Sequence, residues 1–208
     1  CDDNINKILE IYGEVPLPKY IRRPVDIKDK KMYQTVYAKV SGSVAAPTAG
    51  LHFTKDLIDR LIKKGVIIDY CTLNISYNTF KPIKTNLISD HDIGSEKFSI
   101  SKSVLDRVIK AKKNKKRVVA VGTTVTRVLE YCFTQNITND FQGEVDLYIT
   151  PGYKFKAING LITNFHLPRS TLLLLVSSFI EYNFLKTLYQ SAIDNDYKFY
   201  SYGDSMFI

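Results

Sequence analysis

The chain has 208 residues, of which 45% are hydrophobic and 24% charged, and its formal net charge at pH 7 is +8. This length and composition are ordinary for a globular protein with one generous domain, or one domain with a small appendage. No apolar run approaches the roughly 20 residues that cross a bilayer. No secretory signal is recognisable, so we expect a protein without a membrane partner. The positive charge permits a nucleic-acid partner without establishing one.

Cysteines and histidines give no sign of a metal site or a disulfide framework. The chain has three cysteines, Cys1, Cys71 and Cys132, and its three histidines are also far apart. An odd number of widely spaced cysteines matches no zinc pattern and is typical of a reducing compartment. We therefore expect a cytoplasmic protein, a monomer, with no bound metal.

Strand-like and helix-like segments alternate along the chain after a proline-rich, extended lead-in at 1–24. In chain order we predict a strand at 43–46, a helix at 55–64 capped by Thr54, a β-rich segment at 66–75, a helix at 103–112, a strand at 117–121, a helix through 125–129, strands at 145–149 and 161–165, helices at 171–180 and 184–193, and an aromatic strand at 197–202. Strands separated by helices predict an α/β fold with a mostly parallel sheet, open or closed into a barrel.

Four polar clusters follow predicted strands, at 47–54, 76–80, 122–127 and 164–171. The carboxyl ends of parallel strands share one face, and ligands bind at that face in α/β folds. Small residues at 122–124 begin a helix, which favours binding of a phosphate or carboxylate, although no full phosphate-loop signature is present. The sequence therefore predicts an active site where the four clusters meet.

Each cluster also has a plain structural interpretation. The stretch 164–171 is either a ligand site or a capped turn, in which Pro168 ends the strand and Ser170 or Thr171 caps the next helix. Arg127 either faces a ligand or pairs on the surface. Residues 202–204 form either a lid or a tyrosine-anchored turn. The basic run 112–117 contacts phosphate or is a solvated helix end.

Taken together, these motifs resemble the S-adenosylmethionine:tRNA ribosyltransferase-isomerase family of queuosine biosynthesis. The matching stretches are GEVPLPKYI at 13–21, YQTVYA at 33–38, GSVAAPTAGLHFT at 42–54, AVGTT at 120–124, RVLE at 127–130, PGY at 151–153, NFHLPRSTL at 164–172 and YSYGD at 200–204. The resemblance covers nearly the whole chain in order. It implies a main α/β barrel-type domain at 25–208, barrel-like with surrounding helices, from which the family's small inserted β-barrel domain is largely absent.

The resemblance also implies a reaction. The ribosyl part of S-adenosylmethionine, consumed as a co-substrate, is transferred to a 7-aminomethyl-7-deazaguanine in the tRNA anticodon and isomerised to epoxyqueuosine, with release of adenine and methionine. Such chemistry needs proton carriers, and His52 and His166 have a suitable pKa range. The residues expected to bind substrate are Thr48, Ala49, Gly50, Gly122, Thr123, Thr124, Arg127, Asn164, Arg169, Ser170, Thr171, Tyr202 and Asp204.

Two departures from the family pattern qualify this expectation. Where the family usually has His-Val-Gly-x-Gly-Thr-Phe, this chain has Asn74, Ser76 and Asn78 in place of the histidine and both glycines. Where the family usually has two histidines ahead of a glutamate, the chain keeps His91 but has Gly94 in place of the second. An alternative interpretation is therefore a catalytically decayed homologue that still binds tRNA.

Overall fold

A computed structural model of the chain describes residues 5–18, 20–43, 45–75 and 83–208, which form a mixed α/β protein. Its helices are α1 (Ile5–Tyr12), α2 (Asp29–Met32), α3 (Lys55–Lys63), α4 (Lys102–Lys113), α5 (Thr123–Thr134), α6 (Thr171–Phe179) and α7 (Tyr182–Asp194). Its strands are β1 (Thr72–Asn74), β2 (Glu96–Ile100), β3 (Val119–Val121), β4 (Phe141–Val145), β5 (Gly160–Asn164) and β6 (Ser205–Phe207). Short 3-10 helices cover Thr48–His52 and Ile88–Asp90.

The first sheet is antiparallel, with strand order β1-β2-β4. Along its central strand β2, Phe98 and Ile100 are buried whereas Lys97 is exposed. This period of two places one face of the sheet on the core and leaves the other face polar.

The second sheet has strand order β3-β5-β6 and joins one parallel pair to one antiparallel pair. Ala120 pairs with Leu161 in the parallel ladder, and Thr163 pairs with Met206 in the antiparallel one. Because β3 and β5 run in the same direction, their carboxyl ends lie side by side. Each then leads toward a helix, β3 directly into α5 and β5 through the polar loop before α6. These neighbouring carboxyl ends, which we call the edge formed by β3 and β5, hold the candidate site.

The predicted mostly parallel, barrel-like sheet is wrong for the described strands. Among them, only β3 and β5 pair in parallel, and neither three-stranded sheet closes. The chain does not return to β3 after α5 but forms β4, which pairs with β2 of the other sheet. Alternation of strands and helices therefore did not imply successive parallel crossovers.

Two predicted strands have other structures. In the described part of 43–46 there is no strand, because the Ser43 hydroxyl donates to Ala45 O and accepts from Ile75 N, which holds the backbone in a bend. The strand expected at 145–149 ends at Val145. Beyond that point the carbonyl of Leu147 accepts from Arg127 rather than from a neighbouring strand.

The aromatic segment 197–202 is also not a strand. Its rings pack against Phe165, with ring centroids 5.9 Å away for Tyr197 and 5.0 Å away for Phe199. Tyr200 has a φ of +75°, which is incompatible with strand pairing. The last strand is β6 instead. Aromatic packing, rather than backbone pairing, thus determines this segment.

The helix predictions are confirmed for α3, α4, α5, α6 and α7, with shifted ends. Thr54 caps α3 by accepting from Leu57 N, as predicted. One core lies between the sheets and α4 to α7, with Leu105, Val128 and Leu161 at its centre. Helix α1 occupies part of the segment 1–24 that was expected to be extended. The division into a lead-in at 1–24 and a catalytic domain at 25–208 stays a prediction.

Candidate active site

The candidate site begins at Gly122, immediately after β3. Its φ is +98°, a conformation that suits glycine, and its N–H donates to Ile162 O over 2.8 Å. A side-chain carbon here would lie 3.7 Å from the Cβ of Ala49. The 3-10 helix Thr48–His52 therefore packs directly on the strand-to-helix junction. Within it, Gly50 leaves no space for a side chain, because an added Cβ would lie 2.0 Å from the Tyr37 hydroxyl.

Asn164, the last residue of β5, connects three parts of the site. Its Oδ1 accepts from the Thr48 hydroxyl at 3.2 Å, and its Nδ2 donates to Tyr200 O at 3.2 Å. The same Nδ2 lies 3.0 Å from Nε2 of His52. Because a carbonyl only accepts, the bond to Tyr200 fixes the orientation of the amide, and Nε2 of His52 must then be the acceptor. The two predicted clusters at 47–54 and 164–171 therefore meet at one amide.

His52 is neutral in this arrangement, with its proton on Nδ1. Burial lowers the pKa of His52, and the negative charge of Asp204 raises it in part. A neutral imidazole whose Nε2 accepts a single amide hydrogen bond can exchange that bond for a proton from a ligand.

His166 has different surroundings. Its Nε2 shares a hydrogen bond with the Thr163 hydroxyl at 2.7 Å, and its backbone N–H donates to the hydroxyl of Tyr189 at 2.9 Å. Desolvation lowers its pKa to about 4. Adjacent residues of a strand point to opposite faces, so Thr163 and Asn164 direct the two histidines to opposite sides of β5. The structure thus does not bring the two predicted proton carriers together.

The first turns of two helices line a common small cavity. Thr123 and Thr124 begin α5, and Thr171 begins α6. The residues lining the cavity are Ile93, Thr123, Thr124, Arg127, Ile149, Thr171, Leu172 and Leu175. Helix N-termini present free N–H groups and positive dipole ends, which suit an anionic ligand group. Ser170 caps α6 by accepting from Leu173 N at 3.1 Å, so the capped turn describes Ser170, while Thr171 next to it lines the cavity.

Arg127 lines that cavity, yet its guanidinium is held by the scaffold. Arg127 is 4% exposed, and its three nitrogens donate to Leu147 O, Glu96 Oε2 and Val145 O at 2.9, 3.1 and 3.2 Å. Burial lowers the pKa of Arg127, and Glu96 opposes the shift. A surface pair does not describe Arg127, because it joins α5 to Glu96 of β2 and Val145 of β4, which pair with each other at one end of that ladder.

Glu130, one turn further along α5, is a structural residue that the sequence did not single out. Its carboxylate is fully buried and accepts from the backbone N–H groups of 156, 157 and 158 and from the Tyr153 hydroxyl. It thereby fixes the loop that follows the Pro151-Gly152-Tyr153 motif. The sequence shows a glutamate three residues after Arg127, but one sequence alone does not show that this glutamate is buried.

Residues 202–204 form an anchored turn. The Tyr202 hydroxyl donates to Asp29 Oδ1 at 3.0 Å, and Asp204 accepts from Lys198 N at 2.7 Å. Of the two interpretations left open, the tyrosine-anchored turn describes the contacts. Arg169 is exposed, with a φ of +56°, and contacts Ile83 N through its carbonyl.

The departures from the family pattern lie elsewhere. Ser76 and Asn78, with the rest of the cluster at 76–80, fall outside the described residues. Asn74 belongs to β1 of the other sheet, and its buried Oδ1 has no hydrogen-bond partner within the described part of the chain. Gly94 follows Ile93, one of the residues that line the cavity.

The basic run 112–117 precedes β3 and so lies at the opposite end of that strand from Gly122. Lys113, Lys115, Lys116 and Arg117 are exposed. Arg117 stacks over the ring of Phe207, 4.9 Å from its centroid. The mutual bonds of Val118 and Asn159 bring the loop containing exposed Lys154 and Lys156 to the same end.

In the residues that the structure describes, no three His, Cys, Asp or Glu side chains are grouped so as to hold a metal ion. Over the same ranges, no single helix is long and apolar enough to cross a membrane, and α6 with α7 reaches that length only as a pair bent by 112°.

Polar residues at the carboxyl ends of β3 and β5, among them Asn164 in contact with His52, form the kind of arrangement in which α/β proteins carry their ligand sites. Residues 2–208 match the family described as queuosine biosynthesis protein. The chain belongs to this family.

Two similar proteins are consistent with this membership. A protein from Sulfurihydrogenibium sp. (strain YO3AOP1) named S-adenosylmethionine:tRNA ribosyltransferase-isomerase is 51% identical over 205 residues, 99% of this chain and 60% of that protein. A protein of the same name from Aquifex aeolicus is 45% identical over 97% of this chain and 59% of that protein. The chain thus spans about 60% of the length of these relatives.

A solved structure shows a similar fold. The crystal structure of S-adenosylmethionine tRNA ribosyltransferase from Thermotoga maritima has a TM-score of 0.63 and 36% identity, over 77% of this chain and 51% of that one.

Proposed function

We propose that this protein carries out the reaction for which its relatives are named. It binds S-adenosylmethionine at the edge formed by β3 and β5, transfers the ribosyl part to a 7-aminomethyl-7-deazaguanine in a tRNA anticodon, and isomerises the product to epoxyqueuosine. Adenine and methionine leave. The observation that carries the proposal is the meeting of Thr48, His52 and Asn164 in a chain 51% identical to a protein of that name.

Two charged groups of this co-substrate have suitable surroundings at the site. The methionine carboxylate suits the N–H groups at the starts of α5 and α6, where Thr123, Thr124 and Thr171 border the cavity. The sulfonium cation suits the negative charge of Asp204, which acts on His52. We assign substrate contacts at this edge to Ala49, Gly50, Gly122 and Ser170 as well, and the wall of the cavity to Arg127.

We assign the proton-removing role to His52 rather than His166. The proton beside a sulfonium is acidified by the positive charge, so a neutral imidazole is a suitable base. The pKa of His166 is about 4, which makes its imidazole a weak base at neutral pH. His166 then keeps a supporting role through its hydrogen bond with Thr163.

The RNA partner is supported by the net charge of +8 and by the basic end of the second sheet. Phosphate contacts weaken steeply with salt because counterions are released, by a slope of about −0.7 per contact on single strands. An anticodon base is unstacked at little cost, which allows it to reach the site. A tRNA substrate also supports a cytoplasmic location for the proposed activity.

Product analysis tests the proposal. The protein is incubated with S-adenosylmethionine and tRNA carrying the precursor base, and adenine, methionine and the modified nucleoside are measured, with tRNA carrying guanine at that position as control. We expect release of equimolar adenine and methionine with the precursor tRNA and no release with the control tRNA. Binding of tRNA without adenine release would favour the decayed homologue, and restoration of turnover by Asn74→His would assign the loss to that departure.

A further inference from the structure

Asp29, at the start of α2, holds a buried carboxylate that the proposed reaction does not use. Asp29 is 1% exposed. It accepts two hydrogen bonds of 2.7 Å from the guanidinium of Arg23 and one of 2.8 Å from the backbone N–H of Asp26. Its Oδ1 also accepts from the hydroxyl of Tyr202 at 3.0 Å. Arg23 and these bonds lower the pKa of Asp29 well below its usual range, so the group stays charged at neutral pH.

Tyr202 belongs to a turn that is fastened along its length to the segment 20–33. The ring of Tyr20 stacks on that of Tyr200, with centroids 4.6 Å apart, and the hydroxyl of Tyr20 hydrogen-bonds with that of Ser201. The ring of Tyr33 packs edge-on against Tyr202, at 5.7 Å. Three consecutive residues of the turn therefore contact one segment of chain that is more than 160 positions away.

The other side of the same turn faces the candidate site. The carbonyl of Tyr200 accepts from Nδ2 of Asn164 at 3.2 Å, and that amide contacts His52 at 3.0 Å. Tyr200 has a φ of +75°, an unfavourable conformation for a residue with a side chain, which must be held by its surroundings. The direction of its carbonyl therefore depends on the contacts that hold the turn.

We propose that Asp29 is a positioning residue for the pair formed by Asn164 and His52, acting through Tyr202 and the Tyr200 carbonyl. This inference rests on the proposed function for its kinetic consequences but not for its structural ones. A charged carboxylate holds a phenol in place, and that phenol helps to hold the backbone carbonyl that orients the Asn164 amide. Supporting bonds of this kind change activity without contacting substrate.

Tyr202→Phe removes only the hydroxyl, and Tyr148→Phe is a matched control because the buried Tyr148 hydroxyl has no hydrogen-bond partner among the described residues. We expect Tyr202→Phe and Asp29→Asn each to lower kcat for adenine release by about 10- to 100-fold, with KM for S-adenosylmethionine nearly constant. Tyr148→Phe should leave both unchanged. In an Asn164→Ala background, Tyr202→Phe should add no further loss.

The imidazole NMR signals of His52 give a second readout that needs no turnover. They should shift in Tyr202→Phe and Asp29→Asn but not in Tyr148→Phe. Unchanged His52 signals in both variants would overturn the inference, and so would a loss in kcat that adds fully to that of Asn164→Ala. If the wild-type protein releases no adenine, the proposed function fails, while the NMR result still decides the role of Asp29.

Discussion

The interior of α5 and the edge formed by β3 and β5 both gather polar side chains, but they use them differently. The Glu130 carboxylate has four hydrogen-bond donors, and all three nitrogens of Arg127 have acceptors. The Nε2 atom of His52, by contrast, accepts one bond from an amide. Fully satisfied buried groups specify the fold, whereas a half-buried base with one exchangeable partner can serve a ligand.

Both kinds of residue occur within the single helix α5. The first turn of α5, with Thr123 and Thr124, lines the cavity, and the next two turns, with Arg127 and Glu130, hold the sheet and a loop. The resemblance to the family includes all of these positions and does not distinguish their roles. Only the hydrogen-bond partners separate the residues that we propose to bind from those that support the fold.

Replacing Arg127 should give the largest loss of stability. Arg127→Met removes the ion pair with buried Glu96 together with the donors that serve Leu147 O and Val145 O, at a cost of about 3–5 kcal/mol in free energy of unfolding. Arg107→Met is the control, since it breaks an exposed bidentate pair with Asp69 and should cost no more than about 1 kcal/mol. Urea denaturation measures both. Equal losses would mean that Arg127 is not a scaffold residue.

Glu130→Gln should be the next most destabilising change. The amide places an NH2 group against backbone donors, so at least one buried N–H loses its acceptor, which costs about 1–3 kcal/mol. Glu144→Gln serves as the control because Glu144 is exposed and accepts only from Ser95 among the described contacts. A free energy of unfolding equal to that of the control would contradict the scaffold role of Glu130.

The sequence predicted the helices and the meeting of two polar clusters better than it predicted the sheets. Caps and apolar periodicity are local signals, so Thr54 and Ser170 marked α3 and α6 correctly. Strand β2 was missed because its buried Glu96 interrupts the apolar pattern, and its partner Arg127 is 31 residues away. The tie between Asp29 and Tyr202 spans 173 residues and has no local signal at all.

Protonation of His166 should have a smaller effect on stability, which the pH dependence of the free energy of unfolding should show. Its pKa is about 4 in the folded protein against an ordinary value of 6.5, so between these values the unfolded chain binds more protons. The free energy of unfolding should therefore fall as the pH is lowered from 6.5 to 4. His166→Gln should flatten this part of the curve in urea titrations at several pH values. An unchanged slope would show that the His166 imidazole is not desolvated.

Single-turnover release of adenine by His52→Ala tests the central claim most directly. The variant loses a half-buried side chain with one amide partner, so its free energy of unfolding should stay within about 1 kcal/mol of wild type. Its rate, with saturating S-adenosylmethionine and precursor tRNA, should fall by about 10²- to 10⁴-fold, as for removal of a general base. Tyr148→Phe should retain the wild-type rate. A near-normal rate in His52→Ala would contradict the assignment of the active site to the edge formed by β3 and β5.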